Sequence, residues 1–273
     1  MKPVVLADDP ELPGPSPRDE MWRAILVGTT RASRNRRLHR RIPSSPRCKL
    51  CNAPFGGVGG LFMPLLGHAR WPKNPKYCAG CFRMLRENHG GAEIECSLLF
   101  ADVRGSTALA EQMPPKEFNR LMGWFFDVAA DILVNHDAFV DKFVGDEIIG
   151  IFVPAMATDG HAKQAVAAAT ALMERTFREK VGGRSIPIGA GVSTGIAYVG
   201  SIGTGTDTEL TAMGDLVNTT ARLASAAAAG EIFVTETAAA AADLPGSLER
   251  RSLELKGKSA ATDVVVLIVP RSE

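Results

Sequence analysis

Residues 140–152 read VDKFVGDEIIGIF, and this stretch determines the expected fold. Two short runs rich in β-branched and aromatic residues flank a Gly-Asp pair, which is the pattern of a β-hairpin. Such a hairpin places the carboxylate of Asp146 at its tip and Lys142 near the end of the incoming strand. An aspartate at a hairpin tip often does no more than form the turn, so other segments must support a functional role.

A second carboxylate lies upstream, where the apolar run CSLLFAD of residues 96–102 ends at Asp102 and continues as VRGST. A strand that ends in Asp and leads through Gly and hydroxyl residues into a helix is typical of phosphate and metal sites in α/β proteins. If the two strands are neighbours, Asp102 and Asp146 converge. Paired carboxylates favour a hard cation such as Mg²⁺.

A third segment, LTAMGDLVNTTARL at residues 210–223, has the pattern of a strand end, a glycine, an N-capping Asp215 and a helix. Asn218 and Arg222 are four residues apart and therefore share one helix face. An amide and a guanidinium on one stripe can clamp a ribose and a phosphate. An ordinary solvated helix face is the alternative interpretation.

Five segments occur in order between residues 93 and 269: FADVRGST, DKFVGDEIIGIF, GAGVSTGIAYVGSIG, TAMGDLVNTTARLAS and LKGK. Together they resemble the catalytic domain of the class III nucleotidyl cyclases, over about two thirds of the chain. The predicted βαββαβ order is ferredoxin-like, an α+β fold with extra strands, and the resemblance implies the same fold for residues 91–273. It also implies formation of a 3′,5′-cyclic nucleotide and pyrophosphate in a homodimer whose active sites lie at the subunit interface.

The resemblance assigns roles to the candidate residues. It implies that Asp102, the backbone of Val103 and Asp146 bind two Mg²⁺ or Mn²⁺ ions per active site. The position of Arg222 stabilises the charge on the α-phosphate, and that of Asn218 orients the ribose. Cyclisation needs this positioning and charge stabilisation more than covalent catalysis.

Three further positions concern the substrate. The resemblance implies that a lysine of LKGK binds the triphosphate; we choose Lys256, with Lys258 as the alternative. Lys142 can donate to adenine, whereas guanylate cyclases carry Glu there. The partner position holds Thr211, and the Lys/Thr pair resembles the subgroup that includes bicarbonate-responsive enzymes. We therefore predict an adenylate cyclase that uses ATP, with a guanylate cyclase as the alternative because a hydroxyl can donate or accept.

Two CxxC pairs, Cys48 with Cys51 and Cys78 with Cys81, predict a metal-binding domain in residues 48–90. Thiols stay reduced in the cytosol, so a metal site is favoured over disulfides. Four thiolates suit one tetrahedral Zn²⁺, and an iron–sulfur cluster is the alternative. Cys96 lies in the apolar strand and is expected to be a small buried residue.

The 273 residues predict about two domains. We expect a disordered tail at residues 1–15, then a helix and an Arg-rich linker at residues 16–47. Arginines 31–47 are either solvated or in contact with an acidic partner, an anionic membrane surface or nucleic acid. No apolar run reaches the length of a membrane span and no signal-peptide core is found, so the prediction is a cytoplasmic protein. A catalytically weak cyclase-like redox or metal sensor is a further alternative.

Overall fold

The computed structural model describes residues 16–29, 36, 38–39, 41–42, 44, 46–48, 50–72, 75, 77–157, 160–203, 208–258 and 260–270, without the side chains of residues 142–144. The predicted tail at residues 1–15 and Arg31, Arg34, Arg37 and Arg40 of the Arg-rich run lie outside this part of the chain. The domain boundaries stay predictions.

Eight strands form one sheet, in the order β2-β3-β1-β4-β6-β8-β7, and β5 pairs with β4 beside this path. The strands are β1 Gly90–Val103, β2 Phe139–Val144, β3 Glu147–Phe152, β4 Ile188–Ile202, β5 Glu209–Met213, β6 Glu231–Thr235, β7 Arg250–Leu253 and β8 Thr262–Ile268.

The described residues also form α-helices on both sides of the sheet. They are α1 Pro17–Val27, α2 Gly57–Phe62, α3 Ala79–Glu87, α4 Ser106–Gln112, α5 Pro115–Asn135, α6 Pro154–Ala157, α7 His161–Arg178, α8 Asp215–Ala226 and α9 Glu236–Ala241; a 3-10 turn, Met63–Leu66, follows α2.

The central unit runs β1-α5-β2-β3-α7-β4, and its strands lie in the antiparallel order β2-β3-β1-β4. This is the predicted ferredoxin-like arrangement, extended by four strands, so the predicted α+β fold is confirmed. Helix α5 forms because its apolar residues recur at helical spacing and face the core. Strand β4 continues to Ile202, and its last residues pair with β5.

Each sheet face has its own apolar core. Helices α5 and α7 cover one face through residues such as Phe125 and Leu172. The other face packs against α8 and also against the N-terminal region, because Trp22 and Phe82 belong to the same buried cluster as Ile94. The indole N–H of Trp22 donates to the carbonyl of Asn88 at 3.0 Å. The four-cysteine region and the cyclase-like sheet therefore share one continuous core.

Part of the Arg-rich run is buried, so the interpretation that the whole run is solvated is wrong for those residues. Arg36 is buried, with its guanidinium 5.4 Å from the ring centroid of Phe139 in β2. Arg47 donates to the carbonyls of His39 and Asn52, each at 3.1 Å. Within the described ranges, none of the helices is both long and apolar enough to cross a lipid bilayer.

Candidate active site and cysteine cluster

Strand pairing brings Asp102 and Asp146 together. Asp102 near the end of β1 lies opposite Glu147 of β3, and the N–H of Val103 donates to the carbonyl of Asp146 at 3.4 Å. Burial and the adjacent Asp146 carboxyl raise the pKa of Asp102 to about 6. The predicted convergence of the two carboxylates is therefore present in the fold, and their role as metal ligands stays a prediction.

Glu147 is a third acid that the sequence analysis missed. Burial and the charges of Asp102 and Asp146 raise its pKa to about 7. The signal was available, because Glu147 is the residue that antiparallel pairing of β1 and β3 sets opposite Asp102. Asp102 and Glu147, whose pKa values are raised by burial and by neighbouring acids, form with Asp146 a site where a cation would relieve repulsion.

Arg104 is the second residue that the sequence analysis missed. Its guanidinium contacts Oδ2 of Asp102, and Nη1 donates to the carbonyl of Ser225 at 2.8 Å. Oδ1 of Asp102 is buried and has no hydrogen-bond partner among the described residues. Arg104 thus links the acidic end of β1 to the end of α8 and leaves one carboxylate oxygen for another ligand.

Helix α8 carries Asn218 and Arg222, whose role as a clamp stays a prediction, and its N-cap is Gly214 rather than the predicted Asp215. It begins at Asp215 after Gly214, and it buries Thr219 and Thr220 against the protein. Asn218 is exposed and Arg222 is half-buried. The two candidate residues therefore lie away from the most buried side of the helix.

The LKGK turn lies beside α8 in the same chain. Gly257 has a φ of 78°, and a Cβ built on it would lie 3.2 Å from Nη2 of Arg222. Lys258 forms an ion pair with Asp215, whereas Lys256 is exposed. The turn thus lies against the Arg222 guanidinium at Gly257, and Lys258 is engaged by Asp215 at the start of α8.

Thr211 has a buried partner that the sequence analysis did not single out. Its hydroxyl donates to Oδ2 of Asp141 at 2.7 Å, and both residues are buried. The pairing of β2 and β3 shifts register between Val140 and Phe143, so a β-bulge contains Asp141 and Lys142. Such bulges redirect side chains and are common beside active sites. Lys142 belongs to β2, but its side chain lies outside the described part of the structure.

The four predicted cysteines converge on one point. Their Sγ atoms all lie within 4.8 Å of one another, and those of Cys51 and Cys78 are 3.7 Å apart. The backbone N–H of Cys78 donates to Sγ of Cys48 at 3.2 Å. The backbone N–H of Cys81 donates to Sγ of Cys78. This arrangement matches the prediction that the four thiols bind a metal.

His68 lies against the cluster, with Nδ1 3.4 Å from Sγ of Cys78. Hydrogen bonds from the neighbouring thiols, and also from His68, lower the pKa of Cys78. Cys96 is apart from the cluster and buried in β1, where burial raises its pKa to about 12. It is the small buried residue that its apolar strand predicted.

The Adenylate and Guanylate cyclase catalytic domain family matches residues 91–267. The chain belongs to this family. Adenylate cyclase 1 of Rhizobium meliloti is 28% identical over 182 residues, which cover 64% of the chain and 27% of that protein. The adenylate cyclase of Anabaena cylindrica is 27% identical over 183 residues, covering 62% of the chain and 36% of that protein.

The chain thus spans only about a quarter to a third of the length of these cyclase relatives. Among solved structures, the guanylyl cyclase Cya2 is 28% identical with a TM-score of 0.59, covering 66% of this chain and 95% of that one. The adenylyl cyclase CyaB from P. aeruginosa has a TM-score of 0.57 at 24% identity, covering 66% and 96%. The second likeness concerns the fold alone, and both kinds of cyclase occur among the relatives.

Proposed function

We propose that this cyclase is an adenylate cyclase, which converts ATP to 3′,5′-cyclic AMP and pyrophosphate in a homodimer. The hydrogen bond from Thr211 to Asp141 is the observation that carries the choice of ATP. A hydroxyl has one proton and two acceptor lone pairs, whereas a carboxylate only accepts. Since Asp141 takes the proton of Thr211, the remaining hydrogen-bonding capacity of that oxygen is as an acceptor.

The hydrogen-bonding role of the Thr211 hydroxyl, as an acceptor, discriminates adenine from guanine. The exocyclic amino group of adenine donates, so it is complementary to an accepting oxygen, whereas the carbonyl oxygen of guanine at the same place only accepts. A buried site that hydrogen-bonds its substrate discriminates strongly against a base of the wrong polarity. Lys142 one residue along β2 from Asp141 is the proposed donor to the adenine ring.

The acidic end of β1 fits divalent cations. Asp102 and Asp146 supply oxygen donors, and the buried Oδ1 of Asp102 is one such donor. These carboxylates and the backbone of Val103 would hold two Mg²⁺ or Mn²⁺ ions, with Glu147 adjacent. When bound, the ions would neutralise triphosphate charge and favour ionisation of the attacking 3′-hydroxyl.

The chain's own groups then position the nucleotide. Asn218 hydrogen-bonds the ribose, and Arg222 stabilises the charge that develops on the α-phosphate oxygens. Lys256, exposed on the turn that contacts Arg222, binds the triphosphate. Lys258 is the weaker candidate because its ammonium group is already paired with Asp215.

A second copy of the chain completes the site in this proposal. Ile196 and Ile202 of β4 and Met213 of β5 are exposed apolar residues near Thr211 and the start of α8. In a two-fold dimer, each active site would take Asp102 and Asp146 from one subunit and Thr211, Asn218 and Arg222 from the other.

The cysteine cluster is proposed to hold one tetrahedral ion, of which Zn²⁺ is the best candidate. With Zn–S bonds of about 2.3 Å, the edge of a ZnS₄ tetrahedron is about 3.8 Å. The 3.7 Å between Sγ of Cys51 and Cys78 has that size. An iron–sulfur cluster contains more than one iron and would hold its four thiolates further apart than the 4.8 Å within which these Sγ atoms lie. A metal-loaded, colourless protein supports zinc, and a brown protein containing sulfide supports the cluster.

The direct test is product formation. The purified full chain is assayed with Mg²⁺ or Mn²⁺ and with ATP or GTP, and the cyclic product is identified by mass spectrometry. We expect cyclic AMP from the wild type and a loss of at least about 100-fold for Asp146→Ala, as for removal of one transition-state stabiliser. Cyclic GMP as the main product would replace the proposal with a guanylate cyclase. Neither product, with ATP bound, would favour a cyclase-like sensor.

A further inference from the structure

Residues 57–66 expose an apolar surface that the proposed catalytic role does not use. The segment reads GVGGLFMPLL and has no polar side chain. Five of its side chains are between 59% and 83% exposed: Val58, Leu61, Phe62, Leu65 and Leu66. They make up nearly half of the large exposed apolar residues found in the described part of the chain. We call this surface the apolar tip.

The apolar tip is anchored by residues that pack on the protein interior. Met63 is buried in the core shared with the sheet, and a Cβ on Gly59 would lie 2.8 Å from Ile42 and from Pro54. The turn closes where the N–H of His68 donates to the carbonyl of Met63 at 2.9 Å. His68 in turn contacts the cysteine cluster. The exposure of the tip is therefore a property of the folded region between the two CxxC pairs.

The stretch of sequence that contains the tip carries charge of one sign. Residues 21–86 contain fourteen Lys and Arg and no Asp or Glu, in a chain whose net charge is only +1. Exposed arginines among the described residues of this region are Arg23, Arg41, Arg70, Arg83 and Arg86. The basic residues are thus concentrated in the region that exposes the apolar tip.

We propose that the apolar tip and the exposed arginines of residues 21–86 dock the protein onto an anionic lipid bilayer. A bilayer surface offers negative headgroups for the basic side chains and hydrocarbon for the apolar ones. Ten residues are too few to cross a membrane, so the tip inserts only into the outer part of one leaflet. A specific protein partner would need polar groups to fix its orientation, and residues 57–66 offer none from their side chains.

The test is flotation of the full, metal-loaded chain with vesicles. Phosphatidylglycerol vesicles should bind the protein, and phosphatidylcholine vesicles should bind it at least about tenfold more weakly. Raising the salt concentration should weaken binding to the anionic vesicles, because exposed charges are screened. Equal binding to both vesicle types would overturn the role of the arginines, and binding to neither would overturn the whole proposal.

Substitutions distinguish binding through the tip from non-specific adsorption of exposed apolar residues to vesicles. Leu61→Ser and Phe62→Ser should each lower vesicle affinity about tenfold, since each removes a large apolar side chain from the bilayer. Ile268→Ser is the matched control, because Ile268 is 62% exposed on β8 and lies outside the tip. Equal losses in the control would overturn the assignment.

Two alternative binding partners, a second copy of the chain and nucleic acid, would give different results. If the tip binds a second copy, Leu61→Ser and Phe62→Ser will reduce the oligomer size without lipid, measured by light scattering. If the basic region binds nucleic acid, the wild type and the serine variants will bind a short DNA duplex equally well. Either result without vesicle binding by the wild type would overturn the membrane assignment. Cyclase activity of the serine variants in solution should be unchanged, since the tip is outside the proposed active site.

Discussion

Removing the carboxylate of Asp141 should weaken the preference of the enzyme for ATP. The buried hydroxyl of Thr211 donates to Oδ2 of Asp141 at 2.7 Å. Without that acceptor, the hydroxyl proton becomes available to the carbonyl oxygen of guanine. A hydrogen bond to a charged group contributes about 1.5–3 kcal/mol, which corresponds to about 10- to 150-fold in a rate or affinity ratio. We therefore expect Asp141→Ala to lower the ATP/GTP ratio of kcat/KM at least about tenfold.

The assay is a double-mutant cycle with both nucleotides. Asp141→Ala should alter the ratio in the wild-type background but not in Thr211→Val, where no hydroxyl remains to be oriented. Asp141→Asn keeps a carbonyl oxygen as an acceptor and should retain more of the preference. Thr176→Val is the control for loss of a buried threonine hydroxyl, since Thr176 donates to a carbonyl within α7.

Two results would refute this reasoning. One is an unchanged ATP/GTP ratio in a folded Asp141→Ala variant. The other is an equal change in the Thr211→Val background, which would mean that Asp141 acts on the site by another route. Thermal melting of each variant, followed by circular dichroism, distinguishes these results from loss of the fold.

Three further predictions concern the rest of the site. Lys142→Glu replaces a donor with an acceptor and should lower use of ATP, and an unchanged ATP/GTP ratio would show that Lys142 does not contact the base. Cys78→Ser should release the bound metal, measured by mass spectrometry of the intact protein, whereas Cys96→Ser should not. Asp102→Ala and Arg222→Ala homodimers should each be nearly inactive, and mixing them should restore activity through one intact site per heterodimer. No recovery in a confirmed heterodimer would exclude the shared site.

Much of the catalytic unit could be predicted because its signals are local. The hairpin follows from β-branched runs around a Gly-Asp turn, and the bounds of α5 follow from helical spacing of apolar residues. Asp102 and Asp146 were paired by assuming that their strands are neighbours, and the register of β1 and β3 confirms that adjacency. These features depend on a few residues each and on one assumption about topology.

The missed residues depend on contacts that no local pattern encodes. The bulge in β2 interrupts the alternation of side chains, so the sequence did not indicate that Asp141 is directed toward Thr211 on another strand. Arg104 was read as part of a loop, whereas it bridges Asp102 and the end of α8. Glu147 belongs to the site because the register of β1 and β3 sets it opposite Asp102. Long-range partners decide the role of each of these charged side chains.

Long-range contacts also join the four-cysteine region to the proposed active site. Tyr77, next to the metal-cluster residue Cys78, is buried, and its hydroxyl accepts from the N–H of Leu210 at 3.4 Å. Leu210 immediately precedes Thr211 on β5, so a short chain of contacts joins the cysteine cluster to the residue proposed to recognise the base. Because Trp22 and Phe82 also share the core of the sheet, the cluster cannot unfold without exposing apolar surface beneath β1. The two CxxC pairs are therefore part of the scaffold that supports one half of the proposed active site.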